Sequence, residues 1–356
     1  MRQTEISEAA SNPTLKSGSV RDFVTGKDDK RVLDLWNSVF PDPASGITPA
    51  WEFRDGPQGA QPRVVAEWGG KIAAHAGAMP MRFQLLGETV RGAYSVAAMT
   101  DADARGNGLY TRVAQHLYAR LEREGFAFVA GFSNRRSVGI ITGPLGRKPL
   151  HPFPWAVRPS AFSRKFPFIG KAKSAVADSC ALGSFKVEAG GFGDPALDGL
   201  WKQVASHVRI GVIRDSQYNR WRFAGHPQGA YCMRWVRKGE QVLGYWIGRI
   251  MVFRGVRAAF LVDFLSDPNF PAVSELLLQD FRQWALGEKA WLLSALLPFH
   301  SFIRDSLRAF GFMQVPPWLH PHRLCFSVRL LGQTRDRSEI YESANWFLSW
   351  ADTDIV

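Results

Sequence analysis

Cysteine is scarce. The chain has three in 356 residues, Cys180, Cys232 and Cys325, far apart and odd in number. No C-x-x-C pair occurs. That excludes a disulfide framework and a structural zinc knuckle, and it suits a reducing compartment. No apolar run approaches a membrane span, and the first residues, MRQTEISEAASNPTLKSGS, lack the apolar core of a signal peptide. A cytoplasmic protein is the expectation. Neither G-x-x-x-x-G-K-[ST] nor a complete G-x-G-x-x-G is present, which removes the two commonest phosphate loops. Acidic residues are outnumbered, 32 against 44 Lys and Arg, leaving a net charge of +12 that suits acidic partners.

What is present is enough for two cores. A chain of this length at 46% hydrophobic residues reads as two ordinary globular domains. Residues 1–20 are expected to be a disordered terminus. The densest basic stretch, Arg164-Lys165 with Lys171 and Lys173, is interleaved with Phe166, Phe168 and Ile169. It reads as a linker over residues 161–190 rather than a nucleic-acid or membrane surface.

The chain is organised around Tyr94 to Gly125. A short apolar run, Tyr94 to Met99, gives way to Arg105-Gly106-Asn107-Gly108. A helix follows, its apolar face marked by Leu109, Val113, Leu117 and Leu121 at spacings of four. Strand, glycine turn and helix together suit an anion, because a helix N-terminus carries unbonded N–H groups and the positive end of the dipole. Glycine lets the backbone approach that anion closely. The spacing R-x-x-G-x-[small], Arg105 to Tyr110, resembles the pyrophosphate loop of the GCN5-related N-acetyltransferases. Its last position, usually Gly or Ala, is Tyr110, which either crowds the loop or points away from it.

A repeat runs through the chain. W-x-F-x-x-x-P-Q-G-A occurs at Trp51 to Ala60 and again at Trp221 to Ala230, 170 residues on. Gly69 then aligns with Gly239 and Ile72 with Val242; Leu35-Trp36 has a counterpart in Leu200-Trp201. The repeat predicts an internal duplication of one mixed α/β domain. Copy two lacks the glycine turn. It has Ser266-Asp267-Pro268-Asn269-Phe270-Pro271, which offers no comparable nest of donors.

The resemblance covers about residues 20–160 and, more faintly, 190–330. It implies two acyl-CoA N-acyltransferase domains of mixed α/β architecture in tandem: 21–160 binding the coenzyme, 191–332 a degenerate copy, and a docked tail over 333–356. Acetyl-CoA is the implied cosubstrate. Met99 and Thr100 would pair with its pantetheine, Arg105, Gly106, Asn107, Gly108, Leu109 and Tyr110 would hold its pyrophosphate, and Asn134 and Ser137 would lie along its path. The family's usual acid, a Tyr on the next helix, is replaced by Ile140 and Ile141. In the Gly-aromatic pair that follows, Gly146 is kept and Arg147 stands for the aromatic.

Candidates for the acceptor base are several. His75 lies on a strand beside the cleft, Tyr94 and Asp101 flank it, with Asp101 reading rather as a loop cap, and Asp263 sits in an apolar run where a carboxylate needs a partner. His320 and His322 have no third ligand nearby, so no metal site is expected. Asn345 to Asp354 is too aromatic for a loose tail and should dock on the body, carrying Asp352 and Asp354 toward the acceptor. Some tandem enzymes of this type end in similar tails. The expected activity is transfer of an acetyl group from acetyl-CoA to the amine of a small molecule such as an amino sugar or sugar nucleotide. The alternatives are a tRNA-dependent aminoacyltransferase of the peptidoglycan-bridge type and a non-catalytic acyl-CoA-binding protein.

Overall fold

The computed structural model describes residues 18–40, 56–133, 137–150, 155–160, 185–227, 229–253, 255–297, 302–319, 325–332 and 337–353. The first half gives β1 (Ser19–Asp22), α1 (Asp29–Val39), β2 (Arg63–Trp68), β3 (Lys71–Leu85), β4 (Glu88–Thr100), α2 (Leu109–Arg123), β5 (Phe128–Ser133), α3 (Val138–Thr142), β6 (Lys148–Pro149) and β7 (Trp155–Pro159). The second gives β8 (Val187–Ala189), α4 (Ala196–Val204), β9 (Ile210–Val212), α5 (Ser216–Asn219), β10 (Tyr231–Lys238), β11 (Gln241–Phe253), β12 (Val256–Ser266), α6 (Pro271–Gly287), β13 (Leu292–Leu296), α7 (Phe302–Ala309), β14 (Met313–Gln314) and β15 (Cys325–Leu330).

Two sheets result, and each repeats the other's plan. β2 and β3 turn at Gly69-Gly70, where φ of +60° and +80° suits a two-residue hairpin that glycine adopts without strain. β10 and β11 turn at Gly239, also at φ +60°. Alternation along β2 sends Val64 and Ala66 to a core under α2, and Val65 to a core under α1 with Leu35 and Trp36. In the second half Leu200 and Trp201 of α4 are buried in the same way. The return strand β3 is longer than its apolar pattern indicates. It runs unbroken through Pro80 to Leu85, with a bulge at Ala73 against β2, while the register shift against β4 falls on the β4 side.

The sheets are not built from consecutive halves of the chain. The first is ordered β1-β2-β3-β4-β5-β15-β6, with β9 added on β3; the second is ordered β14-β7-β13-β12-β11-β10-β8. Strand β15, from near the end of the chain, therefore lies beside β5 in the first sheet, and β7 lies beside β13 in the second. This exchange joins the halves by backbone hydrogen bonds rather than by side-chain contact alone. The basic stretch expected as a linker and the repeat residues Trp51 and Phe53 lie largely or wholly outside the described residues, as do residues 1–17.

The tail, residues 337–353, is buried where the two sheets meet. Trp346 packs edge-on against Phe83, Phe128 and Phe326, with ring centroids 6.3, 5.6 and 4.9 Å away, and its indole donates to the Ile340 carbonyl at 2.8 Å. Next to it is a group of charges with no solvent access. The Arg214 guanidinium meets Asp352 at 2.6 Å and Asp263 at 3.2 Å. Tyr94 donates to Asp352 at 3.1 Å, Tyr245 to Asp263 at 2.8 Å and Ser349 to Asp263 at 2.7 Å. Arg222 adds two bonds of 3.0 Å to the carbonyls of Ala351 and Thr353. Tyr94 belongs to the first sheet, Asp263 to the second and Asp352 to the tail, so one guanidinium ties all three. Arg214→Met leaves two buried carboxylates facing each other and is expected to cost about 3–5 kcal/mol in urea unfolding. A loss below about 1 kcal/mol would show that the cluster is not what holds the tail.

Candidate active site

The first sheet opens between β4 and β5. These strands run parallel but pair at two positions, Ala93 with Val129 and Tyr94 with Ala130. Beyond them β4 stays on β3 as far as Thr100, and β5 stays on β15 as far as Ser133. A V-shaped gap follows, with backbone edges on both sides. A bulge shapes one edge. His75 pairs with Met99 and Gly77 with Val96, so Ala97 and Ala98 together oppose Ala76. Ala97 has φ +49°, a left-handed conformation costly for a residue with a Cβ. His75 pins it there, its Nδ1 donating 2.8 Å to the Ala97 carbonyl. The ring is fully buried, and burial pushes its pKa down to about 4, so it stays neutral.

The glycine turn closes the wide end of the gap. Asp101 accepts from the Asp103 N–H and from Lys71 at 2.8 Å, capping the short turn Ala102–Ala104. The Lys71 ammonium holds the Asp101 carboxyl below its ordinary range. Gly106 and Gly108 take φ of +84° and +68°, and an added Cβ at either would meet nothing within 4 Å. Asn107 braces the turn through its amide to the Ala104 carbonyl at 3.1 Å. Helix α2 then starts, its first hydrogen bond running from the Arg112 N–H to the Gly108 carbonyl. Among the described residues the backbone N–H groups from Gly106 to Thr111 donate to nothing. Arg105 is exposed beside them. These features together form an open anion cradle at the end of a fifteen-residue helix.

Copy two has a shorter turn at the same place. There Asp267 accepts from the Asn269 N–H at 2.9 Å, as Asp101 does from the Asp103 N–H in copy one, and the Phe270 N–H bonds the Asp267 carbonyl at 3.0 Å. Pro271 begins α6 directly after it, with no glycine and no N–H to offer. The counterpart gap is occupied. β12 pairs with β13 only from Ala258 to Phe260, and its own bulge precedes Asp263. The tail turn Trp350–Asp352 lies against it, Trp350 edge-on to Phe260 at 5.5 Å.

The other expected residues separate into groups. Met99 is buried beneath α1 and Leu109 in the core under α2, so each can offer a ligand only its backbone. Tyr110 does not crowd the turn: it is half-buried against the α2 core, and burial raises its pKa well above the ordinary range. Ser137 precedes α3 and receives the Ile140 and Ile141 N–H groups at 3.1 and 3.0 Å. Asn134, Asp354, His320 and His322 lie outside the described residues. Asp263 and Asp352, expected to face an acceptor, instead meet each other across Arg214 with neither side chain exposed. Sequence reading missed Arg214. The signal for it was Asp263 itself, a carboxylate in an apolar strand that needed a cation. A shallow recess lies between the halves, lined by Met81, Arg82, Ile213, Asp215 and Tyr218, with Arg82 and Asp215 paired across it.

Burial of neutral His75 has a consequence for acid stability. The unfolded chain binds a proton at about pH 6.5, whereas the folded ring resists protonation until about pH 4. Stability is therefore full above pH 6.5 and falls as pH drops toward 4, by up to about 3 kcal/mol from this residue. Urea unfolding at pH 7 and pH 4.5 should register the loss, and His75→Phe should flatten the slope. An equal slope in both proteins would assign the effect elsewhere.

Comparison with known proteins agrees with this geometry. The family description "Acetyltransferase (GNAT) domain" matches residues 22–141, from β1 through most of α3. No curated protein matches the chain. Among solved structures, a conserved protein from Enterococcus faecalis V583 described as a probable N-acyltransferase superposes at TM-score 0.61 and 13% identity, over 90% of this chain and 74% of its own. A GCN5-related N-acetyltransferase from Kribbella flavida gives 0.58 and 13%, over 90% and 72%. Saccharomyces cerevisiae N-myristoyltransferase with bound myristoyl-CoA gives 0.56 and 13%, over 91% and 82%. At such identity the structures speak for the fold, and the family match for what its first half is. Among the described residues no helix is long and apolar enough to cross a membrane. Residues 22–141 match the acetyltransferase domain of the GCN5-related N-acetyltransferases, and the chain as a whole has the fold of N-acyltransferases of known structure.

Proposed function

We propose that the protein moves an acetyl group from acetyl-CoA to the amine of a small molecule, an amino sugar or sugar nucleotide being the acceptor class in view. The observation that carries the coenzyme half is the open turn from Gly106 to Thr111, whose N–H groups bond no described residue, while copy two has no such turn and starts its helix at Pro271. A pyrophosphate would take those donors, with Asn107 bracing the loop and Arg105 adding charge. The pantetheine arm would enter the gap along Met99 and Thr100, toward Asn134 and Ser137. An N–H beside the Ala97 bulge would polarise the thioester carbonyl, because the bulge turns a backbone donor away from β3.

Acceptor attack would run directly. The amine nitrogen bonds the acyl carbon, the C–S bond breaks, and its electron pair leaves on sulfur. The amine then sheds one proton. Asp352 is the group we assign to receive it, through the Tyr94 hydroxyl at 3.1 Å. Tyr94 is the last β4 residue paired with β5, at the apex of the gap. Behind it Asp352 is held by Arg214, which also meets Asp263. Asp263 completes that cluster, and Asp354 lies two residues beyond Asp352 in the same tail. The second copy would serve to seal and shape the acceptor side.

Acetyl-CoA is expected to raise the melting temperature in proportion to the logarithm of its concentration. Gly108→Trp should abolish that shift with the fold intact. Unchanged affinity in this variant would place the coenzyme elsewhere, and stabilisation by charged tRNA alone would favour an aminoacyl donor. Over a panel of amino sugars and sugar nucleotides, Tyr94→Phe should lower kcat about 10²-fold, the lower range for general base catalysis, with acetyl-CoA affinity kept. Full turnover by Tyr94→Phe would remove the relay.

A further inference from the structure

Arg147 is a buried cation that the rest of the site does not use. It is 2% exposed, and its guanidinium donates through Nη2 to two carbonyls, Gly131 at 2.8 Å and Ser327 at 2.7 Å. Nε has no hydrogen-bond partner. No carboxylate among the described residues faces it. A charge in that setting costs several kcal/mol unless something repays its lost hydration.

Its position gives the reason. Gly131 is the first β5 residue past the last pairing with β4. A Cβ there would stand 3.2 Å from the Ser95 carbonyl oxygen of β4 and 3.2 Å from Arg147 Nη2. The guanidinium therefore lies at the apex of the gap between β4 and β5. It sits on the same face of the sheet as α2 and within electrostatic reach of the Tyr110 phenol. Burial keeps that phenol neutral, so it adds no countercharge.

Copy two provides an internal comparison. Gly146 and Gly311 are equivalent, 165 residues apart, and both are left-handed, at φ +62° and +96°. The residue after Gly311 is Phe312, buried as apolar packing. Packing at this fold position thus needs only an aromatic ring. Copy one keeps the burial and substitutes a charge. Stitching β5 to β15 does not require it, since those strands already pair over six residues.

We infer that Arg147 is a leaving-group residue, a fixed positive charge at the apex of the gap that stabilises the sulfur of coenzyme A as the thioester breaks. The inference rests on the acyl-CoA reading above. As nitrogen bonds the acyl carbon and the C–S electron pair settles on sulfur, the thiolate forms against the guanidinium. Arg147 gives up no proton, because a guanidinium stays charged in proteins. The thiolate takes its proton from water after the acyl group has moved. A positioned charge thereby replaces the acid missing at Ile140 and Ile141.

The test uses the full chain with free coenzyme A, and needs no acceptor. Calorimetry first establishes binding. The thiol of the bound coenzyme is then titrated by thiolate absorbance, with the complex of desulfo-coenzyme A as blank so that the protein's own cysteines and tyrosines cancel. In the wild type the thiol pKa should fall by at least one unit from that of free coenzyme A, a tenfold gain in thiolate at a given pH. Arg147→Gln should bind coenzyme A and lose the shift, and Arg147→Met repeats the removal of charge if the Gln variant does not fold. An unshifted thiol in the wild-type complex overturns the inference whatever the variants do, as does an equal shift in either variant. Failure of coenzyme A to bind overturns the acyl-CoA reading instead, and the two failures are thereby separate.

Discussion

A guanidinium held between two carboxylates, all three without water, is the constraint on which the molecule depends. Arg214 cannot be buried alone, and neither can Asp263 or Asp352. Each is supplied by a different part of the chain, so the first sheet, the second sheet and the tail must come together for any of them to be satisfied. Tyr94, Tyr245 and Ser349 fill the remaining hydrogen-bond capacity of the carboxylates. The aromatic packing of Trp346 on Phe83, Phe128 and Phe326 excludes water beside them.

Two copies of one plan have been put to different uses. Both have a hairpin at a left-handed glycine, a bulge in the central strand, and a gap beyond a short parallel pairing. In the first copy the gap and the turn at its mouth stay open. In the second, the turn is shorter and runs into Pro271, and the tail covers the gap. The exchange of β7 and β15 between sheets makes the two copies one body held by backbone ladders.

Much of this was legible in residues. The hairpins, α1, α2 and the strand before the glycine turn follow from periodicity and from glycine at the turns. The repeat was visible because W-x-F-x-x-x-P-Q-G-A recurs in register. Asp101 as a loop cap and a docked tail also follow from local chemistry. The strand exchange was not legible, because β7 and β15 are short apolar runs whose partners lie far off in sequence. Nor was the site of the bulge: Ala97 gives no sign of a positive φ, and the His75 ring that holds it comes from the neighbouring strand.

Sequence alone determined the open glycine turn, since Arg105-Gly106-Asn107-Gly108 before a helix sets its own backbone geometry through bonds a few residues long. It also determined that a carboxylate at Asp263 needed a partner. Only the tertiary structure decided which one. Arg214 and Asp352 are 49 and 89 residues away in sequence, and the low dielectric that makes their pairing obligatory exists only once both sheets and the tail have closed around it.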